Sequence, residues 1–486
     1  MIQLSRQKIL FRVDGNRNIG MGHISRCLAL AELLCPDFDI SFAIREPEEF
    51  ILNEVQKITP NIIALPRHPD SPNLIHELDS YLTGLEIVVI DGYSFTSEYE
   101  TTIKNKCAAL IAIDDLHNRH FYADAIINFC GAVNPADYSK EHYTQLYLGL
   151  DYLFLRSPFL RPRQPRIGDS GNKLLINMGG SDPLNETSQV IQKIIQFGFS
   201  EEIIVVIGNA YQFKQQLTSL VNISPSISLK QGLSSTEMFE LMQGCSTAIL
   251  PPSTVALEYL SLGGTLFLNL TAENQRCIRN YLLKQKLAFD FEQFIHYVKS
   301  GDSLPAKRNV HTLFDGSSLL RVKKVFSSLS LSTKIKFRKA SSADVKTVYN
   351  WANDPEVRRQ SYSKSEIAWQ QHERWFSEKI SNALCEYFIV VIDNSSVGQL
   401  RFDQSVEEEG VYVISYLIDR SWRGKNLGSY VLIKGVKKLT ELRSAKKIVG
   451  YVQRTNISSI KAFQRAGFSE SSTEKYFNSV KFEISI

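Results

Sequence analysis

The 486-residue sequence predicts two consecutive α/β domains with parallel sheets, followed by a separate α+β domain. Short apolar runs such as Ile87 to Ile90 alternate with helical stretches through the first 155 residues. This alternation is typical of parallel strands that helices cover on both faces. After a segment rich in proline and arginine at 155–172, a second series of strands and helices repeats the pattern. The length also suits about three folding units.

Changes in residue composition and pattern along the sequence suggest where these units begin and end. We expect one α/β half at 1–160 and a second at 161–328, with a cleft between them. The serine-rich stretch at 329–335 is interpreted as a linker, and 336–486 as the third domain. In that domain the sequence predicts a hairpin that turns at Asn394 and Ser395, and a helix that begins at Leu427.

Composition and charge favour a soluble globular protein over a nucleic-acid-binding or membrane protein. Hydrophobic residues make up 43% and charged residues 22%, which is ordinary for a soluble globular protein. A net charge of +4 without a long basic run argues against a nucleic-acid partner. The sequence shows neither a secretory signal nor an apolar run that would cross a bilayer, so we expect a cytoplasmic protein without a membrane partner. The sequence predicts no oligomeric state.

Seven cysteines are scattered along the chain without paired spacing. An odd, dispersed set predicts reduced thiols in a cytoplasm, and neither a disulfide framework nor a zinc site. The positions are Cys27, Cys35, Cys107, Cys130, Cys245, Cys277 and Cys385.

A turn rich in glycine stands between the first strand and the first helix, in FRVDGNRNIGMGHISRCLALAELL at 11–34. Gly15, Gly20 and Gly22 allow close approach of the backbone, and a helix with one apolar face begins near His23. A glycine loop that leads into a helix N-terminus is a geometry that binds phosphate. A tight βα turn with a hydrogen-bonded histidine explains the same residues, and local pattern leaves both readings open.

The second α/β half repeats this kind of signal. NMGGSDP at 177–183 follows a strand with two glycines and a Ser-Asp pair, and is a second candidate phosphate cradle. Ser253 and Thr254 start a helix on which Glu258 lies one turn later, where its carboxylate can accept hydrogen bonds from ribose hydroxyls. Taken alone, Glu258 is better explained as an ordinary surface glutamate. Asn274 and Gln275 follow a strand end, where ligands bind in open α/β sheets.

These segments together resemble the UDP-sugar hydrolases of pseudaminic acid synthesis, over residues 1 to about 325. The family's motifs occur in order as RVDGNRNIGMGHISRCLALA, IDGY, IDD, LRSPF, NMGGSD, STVALEYLSLGG and ENQ. The family is similar to GT-B glycosyltransferases. The resemblance therefore implies a GT-B-like pair of Rossmann-like domains, in which the second half holds UDP and the first presents water.

The resemblance also implies roles for individual residues. The catalytic residues would be His23, which takes a proton from the attacking water, with Tyr93 and Asn274. The residues implied to bind the UDP-sugar are Gly20, Gly22, Gly179, Gly180, Ser181, Ser253, Thr254, Glu258 and Gln275. The family resembles metal-independent enzymes, so no metal is expected, although aspartates at strand ends leave a metal site open. Those aspartates are Asp14, Asp91, Asp114 and Asp115.

The third domain resembles the GNAT acetyltransferases. LIDRSWRGKNLGSYVL at 417–432 is similar to the family's turn that holds the diphosphate of acetyl-CoA. VQRTNISSIKAFQRAGF is similar to a second GNAT element, in which a tyrosine often returns a proton to the CoA thiolate. Phe463 stands at that position, so Tyr451, Tyr476 or water would supply the proton. The acetyl-CoA contacts implied are Leu417, Ile418, Arg423, Gly424, Lys425, Asn426, Leu427, Gly428, Ser429, Asn456 and Phe463. His372 and Trp375 are candidates for the acceptor side, with core packing the alternative for Trp375.

The two resemblances concern consecutive reactions, which predicts a bifunctional enzyme. An acetyltransferase modifies the 4-amine of UDP-4-amino-4,6-dideoxy-N-acetyl-β-L-altrosamine, and a hydrolase then releases UDP from UDP-2,4-diacetamido-2,4,6-trideoxy-β-L-altropyranose. The expected partners are thus a UDP-amino sugar and the co-substrate acetyl-CoA. Two alternatives remain open: a UDP-sugar-dependent glycosyltransferase with an appended acetyltransferase, and a C-terminal module that binds CoA or sugar nucleotide without turnover.

Overall fold

The fold is known from a computed structural model, which describes residues 6–16, 19–66, 75–160, 173–199, 201–222, 224–301, 315–472, 476 and 478–486. Contacts within the chain define two compact units. The first comprises Met1–Glu141 and Leu146–Lys323, and the second His142–Gln145 and Lys324–Ile486.

The first half of unit 1 is a seven-stranded sheet in the order β3-β2-β1-β4-β5-β7-β9. Its strands and the small pair β6 and β8 are β1 (Lys8–Val13), β2 (Asp39–Arg45), β3 (Ile62–Leu65), β4 (Ile87–Asp91), β5 (Ala109–Ile113), β6 (His120–Phe121), β7 (Ala125–Asn128), β8 (Ser139–Lys140) and β9 (Gln145–Leu148). The helices are α1 (Gly22–Leu34), α2 (Glu49–Gln56) and α3 (Ser97–Lys104). Strands β1 to β5 and β7 pair in parallel, and β4 and β5 are buried along their whole length, as their continuous apolar runs predict.

The second half of unit 1 is a six-stranded parallel sheet in the order β12-β11-β10-β13-β14-β15. Its strands are β10 (Leu174–Ile176), β11 (Ile203–Ile207), β12 (Ile227–Gln231), β13 (Thr247–Leu250), β14 (Thr265–Leu268) and β15 (Phe289–Asp290). Its helices are α4 (Glu186–Gln196), α5 (Lys214–Asn222), α6 (Ser235–Gln243), α7 (Thr254–Ser261), α8 (Arg276–Lys284) and α9 (Phe291–Ser300). The two parallel sheets confirm the predicted pair of α/β halves.

Each of these sheets has a point at which the strand order reverses. In the first sheet the chain runs outward from β1 to β3 and then returns to the other side of β1 with β4. In the second sheet it runs from β10 to β12 and returns with β13. Loops that leave the carboxyl ends of two such neighbouring strands form a crevice, which is where open α/β sheets bind ligands.

The cysteine prediction is wrong at one pair. Cys130, beyond the end of β7, and Cys277, in the first turn of α8, form a disulfide across 147 residues of sequence. The prediction failed because it searched for regular spacing, whereas this pair is brought together only by the packing of one half on the other. The remaining cysteines, Cys27, Cys35, Cys107, Cys245 and Cys385, are free thiols.

Unit 2 is built on a seven-stranded sheet in the order β16-β17-β18-β19-β20-β22-β21. Its strands are β16 (Lys336–Lys339), β17 (Cys385–Ile392), β18 (Ser395–Gln404), β19 (Val411–Ile418), β20 (Lys447–Gln453), β21 (Ser469–Ser471) and β22 (Ser479–Ser485). Helix α10 (Ser318–Thr333) contains the boundary between the two units, after Lys323. The helices that lie wholly in unit 2 are α11 (Val345–Ala352), α12 (Pro355–Gln360), α13 (Trp369–Ser381), α14 (Leu427–Leu442) and α15 (Ile457–Arg465). Residues 329–335, interpreted as a linker, comprise the end of α10 and the turn into β16.

The β17–β18 hairpin turns one residue earlier than expected. Asp393 and Asn394 both have positive φ, 46° and 65°, whereas Ser395 already belongs to β18. Two consecutive residues with positive φ are the requirement of a type I′ hairpin turn, and Asp and Asn tolerate this conformation.

Strands β19 and β20 are the one parallel pair among the strand pairs recorded in unit 2. They pair only from Val411 to Val413, although β19 continues to Ile418 and β20 to Gln453. The two strands therefore diverge and leave a wedge that opens toward the start of α14.

The described residues provide neither a membrane-spanning helix nor a metal-binding cluster. None of their helices is both long and apolar enough to cross a bilayer. They also contain no group of three or more His, Cys, Asp or Glu side chains placed to hold a metal ion.

Candidate active sites

His23 is held by a buried carboxylate at the switch point of the first sheet. It lies in the first turn of α1, directly beyond β1, and its Nδ1 is 2.6 Å from Oδ1 of Asp91 at the end of β4. Asp91 is fully buried. No described residue forms a hydrogen bond with Nε2 of His23. An imidazole that donates from Nδ1 to a carboxylate presents the Nε2 lone pair outward, as a general base requires.

Arg26 extends this pair into a network. Its Nε and Nη2 donate to the two oxygens of Asp91 at 2.6 and 2.5 Å, and its Nη1 donates to Oδ2 of Asp115 at 3.1 Å. Burial acts to raise the pKa of Asp91, but Arg26 and His23 outweigh it and hold this pKa well below its usual value. Asp91 is therefore a carboxylate near neutral pH.

Tyr93 connects this network to the second half. Its hydroxyl donates to Oδ2 of Asp115 at 2.9 Å and accepts from Nδ2 of Asn274 at 2.5 Å, while its ring packs edge-on against His23 with centroids 4.5 Å apart. Burial and the Asp115 carboxylate raise the pKa of Tyr93, so it is a neutral phenol. The structure thus brings together all three residues predicted to be catalytic. Gln275, beside Asn274, accepts a hydrogen bond from the Thr271 backbone amide at 3.0 Å and so shapes the loop.

Sequence reasoning missed the network around these residues. Asp91 and Asp115 appeared only as aspartates at strand ends, and Arg26 received no role. The available signal was the recurrence of Asp directly after consecutive buried strands, since parallel strands bring their carboxyl ends to one edge of a sheet.

The two predicted phosphate loops meet across the cleft. Gly20 has φ of +89°, and a side chain there would begin 3.5 Å from Oγ of Ser181. A Cβ on Gly180 would lie 2.9 Å from the side chain of Met21, the neighbour of Gly22. Gly179 also has positive φ, +96°, which favours glycine. The approach is close enough that both loops can contact one ligand.

The start of α4 is not available to an anion, because Asp182 already occupies it. The Asp182 carboxylate accepts hydrogen bonds from the amides of Glu186 and Thr187, both at 2.8 Å. The start of α7 differs: no described side chain caps it at Ser253, so its first amides, beginning at Thr254, remain available. Of these two helix starts, that of α7 is thus the one whose first amides are not already bound by a side chain.

Glu258 is buried and paired. Both of its oxygens accept hydrogen bonds from Arg156, Nε at 2.7 Å and Nη2 at 2.6 Å. Arg156 belongs to the LRSPF segment that ends the first half, so this bidentate ion pair joins the halves beside the uncapped start of α7. A contact between Glu258 and ribose stays a prediction, and in the present arrangement both of its oxygens bind Arg156.

In unit 2, the predicted acetyl-CoA turn leads into α14 from the divergent end of β19. Asn426 has φ of +58°, and no described side chain caps the helix, so the amides that begin at Leu427 are available to a diphosphate. The turn thus fits acetyl-CoA. Arg423 instead supports the turn, since its Nη1 donates to Asp354 at 3.0 Å and its Nε donates to the carbonyl of Ile418 at 3.0 Å.

The other residues implied to contact acetyl-CoA differ in their burial and in the groups that they contact. Leu417, Leu427 and Ser429 are buried, and Lys425 extends over the Trp422 ring. Gly424 has φ of +77° with open space around it, whereas a Cβ on Gly428 would be 3.2 Å from the hydroxyl of Tyr416. Asn456 caps α15 by accepting from the Ser459 amide at 3.1 Å.

A tyrosine on β19 lies beside Phe463, the position at which the GNAT element often has a tyrosine. Phe463 is buried and packs on Phe468 and Phe482. Tyr416, on β19, contacts the Phe463 ring, and its hydroxyl lies 3.2 Å from Oγ of Ser459. Tyr416 therefore places a hydroxyl close to both α15 and the acetyl-CoA turn, which sequence reasoning did not identify.

Tyr451 and Tyr476, the tyrosines named from the sequence, belong to a different cluster. The ring of Tyr476 stacks on Tyr362 with centroids 4.2 Å apart, and Tyr451 packs edge-on against Tyr476. On the acceptor side, His372 is 98% buried rather than lining an open site, because it packs among Tyr349, Trp375 and Phe376. Burial lowers the pKa of His372.

Comparisons with known proteins agree with both resemblances. Residues 334–469 match the acetyltransferase (GNAT) domain family. Over 95% of this chain and 97% of the other, the sequence is 25% identical to an uncharacterized protein, MJ1062, of Methanocaldococcus jannaschii.

Two relatives match the N-terminal part. The spore coat polysaccharide biosynthesis protein SpsG of Bacillus subtilis is 24% identical over 65% of this chain and 96% of its own length. UDP-2,4-diacetamido-2,4,6-trideoxy-beta-L-altropyranose hydrolase of Campylobacter jejuni is 22% identical over 59% of this chain and 99% of its own. The chain therefore joins a part homologous to these two proteins to a C-terminal GNAT domain.

Proposed function

We propose that this protein is a bifunctional enzyme of pseudaminic acid synthesis. Its GNAT domain acetylates the 4-amine of UDP-4-amino-4,6-dideoxy-N-acetyl-β-L-altrosamine from acetyl-CoA. Its N-terminal part then hydrolyses UDP-2,4-diacetamido-2,4,6-trideoxy-β-L-altropyranose to the free sugar and UDP. The proposed compartment is the cytoplasm. The halves at 1–160 and 161–328 form the hydrolase, and 336–486 the acetyltransferase.

The observation that carries the hydrolase proposal is the His23–Asp91 pair with Nε2 unengaged. Nε2 removes a proton from a water molecule as its oxygen attacks the anomeric carbon. The bond between that carbon and the diphosphate oxygen breaks, and UDP leaves with the electron pair. Amides at the start of α7 and in the Gly179–Ser181 loop stabilise the negative charge that develops on the diphosphate. Tyr93 and Asn274 fix the sugar relative to His23.

Acetyl transfer is assigned to the wedge between β19 and β20. The amides at the start of α14 bind the diphosphate of acetyl-CoA, and the divergent end of β19 holds the acyl arm. The sugar amine attacks the thioester carbonyl and forms the nitrogen–carbon bond of the amide, and the carbon–sulfur bond breaks. The nitrogen gives up one proton to solvent, and the leaving thiolate takes one up to become free CoA. The match of 334–469 to the acetyltransferase (GNAT) family supports this assignment.

A glycosyltransferase is the second candidate for the N-terminal part, favoured by the comparable similarity to a polysaccharide biosynthesis protein. The two candidates differ in whether UDP release requires an acceptor. A C-terminal module without turnover differs from both, because it would bind acetyl-CoA without releasing free CoA.

One incubation tests all of these proposals. The protein is mixed with the 4-amino UDP-sugar and acetyl-CoA, and the products are identified by mass spectrometry. We expect free CoA, UDP and the free diacetamido sugar. Release of UDP only after a sugar acceptor is added would contradict the hydrolase, and absence of free CoA would contradict the acetyltransferase.

A further inference from the structure

We infer that Arg26 is a positioning residue of the hydrolytic site: by neutralising Asp91 it keeps His23 an uncharged base. The inference rests on the proposed hydrolase function and adds a residue to which no role was assigned. It concerns how a histidine beside a buried carboxylate remains able to accept a proton.

The contacts of Arg26 are those of a rigid support. It lies three residues after His23 on α1, so the two side chains share one face of the helix. Its guanidinium binds both oxygens of Asp91, reaches Asp115 as well, and lies over the ring of Phe129. Arg26 is 7% exposed, which is unusual for arginine, and its buried charge is paired with the carboxylates of Asp91 and Asp115.

The charges around His23 decide its protonation. Asp91 faces it from the end of β4, Arg26 from its own helix, and the neutral Tyr93 from the loop beyond β4. Cys27 lies behind Asp91, and Asp115, from the loop beyond β5, is reached through Arg26. A lone buried carboxylate would favour imidazolium, because an opposite charge at this distance stabilises the charged form.

Arg26 opposes that outcome in two ways. It already neutralises Asp91, and its Nη2 lies 3.1 Å from Nδ1 of His23, so an imidazolium would carry a like charge beside the guanidinium. An imidazolium has a proton on both nitrogens and cannot accept one from water. The presence of Arg26 therefore favours the form of His23 whose Nε2 lone pair is available.

The test compares Arg26→Gln and Arg26→Lys with the wild type in the full chain. The matched control is Arg338→Gln, since Arg338 also binds a carboxylate, Asp344, through two hydrogen bonds, but in unit 2. The imidazole of His23 is followed by NMR in protein labelled with ¹⁵N-histidine, and its signal is assigned by its loss in His23→Ala. This measurement needs no substrate. UDP release from the diacetamido UDP-sugar is then measured against pH.

We expect Arg26→Gln to move both the His23 titration and the acid limb of UDP release to higher pH, by about one to two pH units. Arg26→Lys keeps the charge and should move them less, and Arg338→Gln should leave both unchanged. An unaltered His23 titration in Arg26→Gln would overturn the inference. If Arg26→Gln does not fold, the wild-type protein decides: a His23 imidazole that is neutral at pH 7 supports the inference, and an imidazolium at that pH overturns it. A shifted titration in a protein that releases no UDP would support the inference while contradicting the hydrolase.

Discussion

Asn274 donates a 2.5 Å hydrogen bond to the hydroxyl of Tyr93, although the two residues are 181 positions apart and belong to different halves of unit 1. Tyr93 in turn contacts His23 and Asp115. A continuous series of hydrogen bonds therefore joins Asn274 in the second half to His23, the proposed base. It passes through Tyr93, Asp115, Arg26 and Asp91.

Removing this contact should impair hydrolysis. In Asn274→Ala the donor to the Tyr93 hydroxyl is lost, and we expect UDP release to fall about 10²-fold, the scale of a small misplacement of a positioned group. The measurement is kcat for UDP release, with Asn222→Ala at the exposed end of α5 as a control. Wild-type kcat in Asn274→Ala would contradict the catalytic assignment.

The two proposed activities should separate at His23. In His23→Ala, Asp91 keeps both hydrogen bonds from Arg26, so the fold should persist. We expect UDP release to fall at least about 10²-fold through loss of the base, while CoA release in acetyl transfer is unchanged. Both rates are measured on one preparation, whose circular dichroism is compared with the wild type. Simultaneous loss of the two activities would instead indicate a structural histidine.

The ion pair of Asp91 predicts a pH dependence of stability. Burial alone would raise the pKa of Asp91. Arg26 and His23 act in the opposite direction and outweigh burial, so this pKa lies below the value of about 3.9 in an unfolded chain. A carboxyl group with a depressed pKa stabilises the fold above the unfolded value, and this contribution disappears as the pH falls through the folded value. Asp91→Asn should thus lower Tm clearly at pH 5 to 7 and less with each step below about pH 4. Thermal unfolding tests this, with the exposed Asp39→Asn as control; a Tm difference that is independent of pH would contradict it.

Tyr416 should matter for acetyl transfer more than the tyrosines named from the sequence. Burial raises its pKa, with the Ser459 hydroxyl opposing this, so the hydroxyl keeps its proton near neutral pH. Since Phe463 has no proton to donate, we expect Tyr416→Phe to lower kcat about 10- to 100-fold with little change in KM for acetyl-CoA. Tyr451→Phe and Tyr476→Phe are the comparison, and buried Tyr412→Phe is the control. A normal kcat in Tyr416→Phe would point to water as the proton source.

The disulfide predicts a stability that depends on redox conditions. Before reduction, a thiol reagent in denaturant should detect five cysteines, and after reduction seven. Reduction, or Cys277→Ser, should cost unit 1 about 2 to 5 kcal/mol of unfolding free energy. Cys35→Ser provides the control, since Cys35 is a free thiol. Seven reactive thiols in the oxidised protein would refute the bond.

The parts of the fold that depend on local pattern were predictable from the sequence. Continuous apolar runs identified buried strands such as β4, and the glycine turn placed the start of α1 near His23, one residue after its observed start at Gly22. The GNAT resemblance likewise placed α14 at Leu427, where it begins. In each case the residues that determine the element lie in the same stretch of sequence as the element itself.

Partnerships between distant segments were not predictable in this way. Arg26 is paired with Asp91 only because the sheet places β4 beside β1, and Glu258 meets Arg156 only because the two halves pack together. A sequence specifies which groups can pair, but the order of strands decides which of them do.

The Cys130–Cys277 bond has a topological consequence. It closes the chain between these cysteines into a covalent ring that spans 147 positions of sequence, and the passage from the first half to the second at 161–172 lies inside it. A single cut by a protease anywhere in the ring would therefore leave one disulfide-linked molecule, heavier by only a water, on a non-reducing gel. Only a reductant would release two fragments, so the connection between the halves can be severed while they remain tethered at α8.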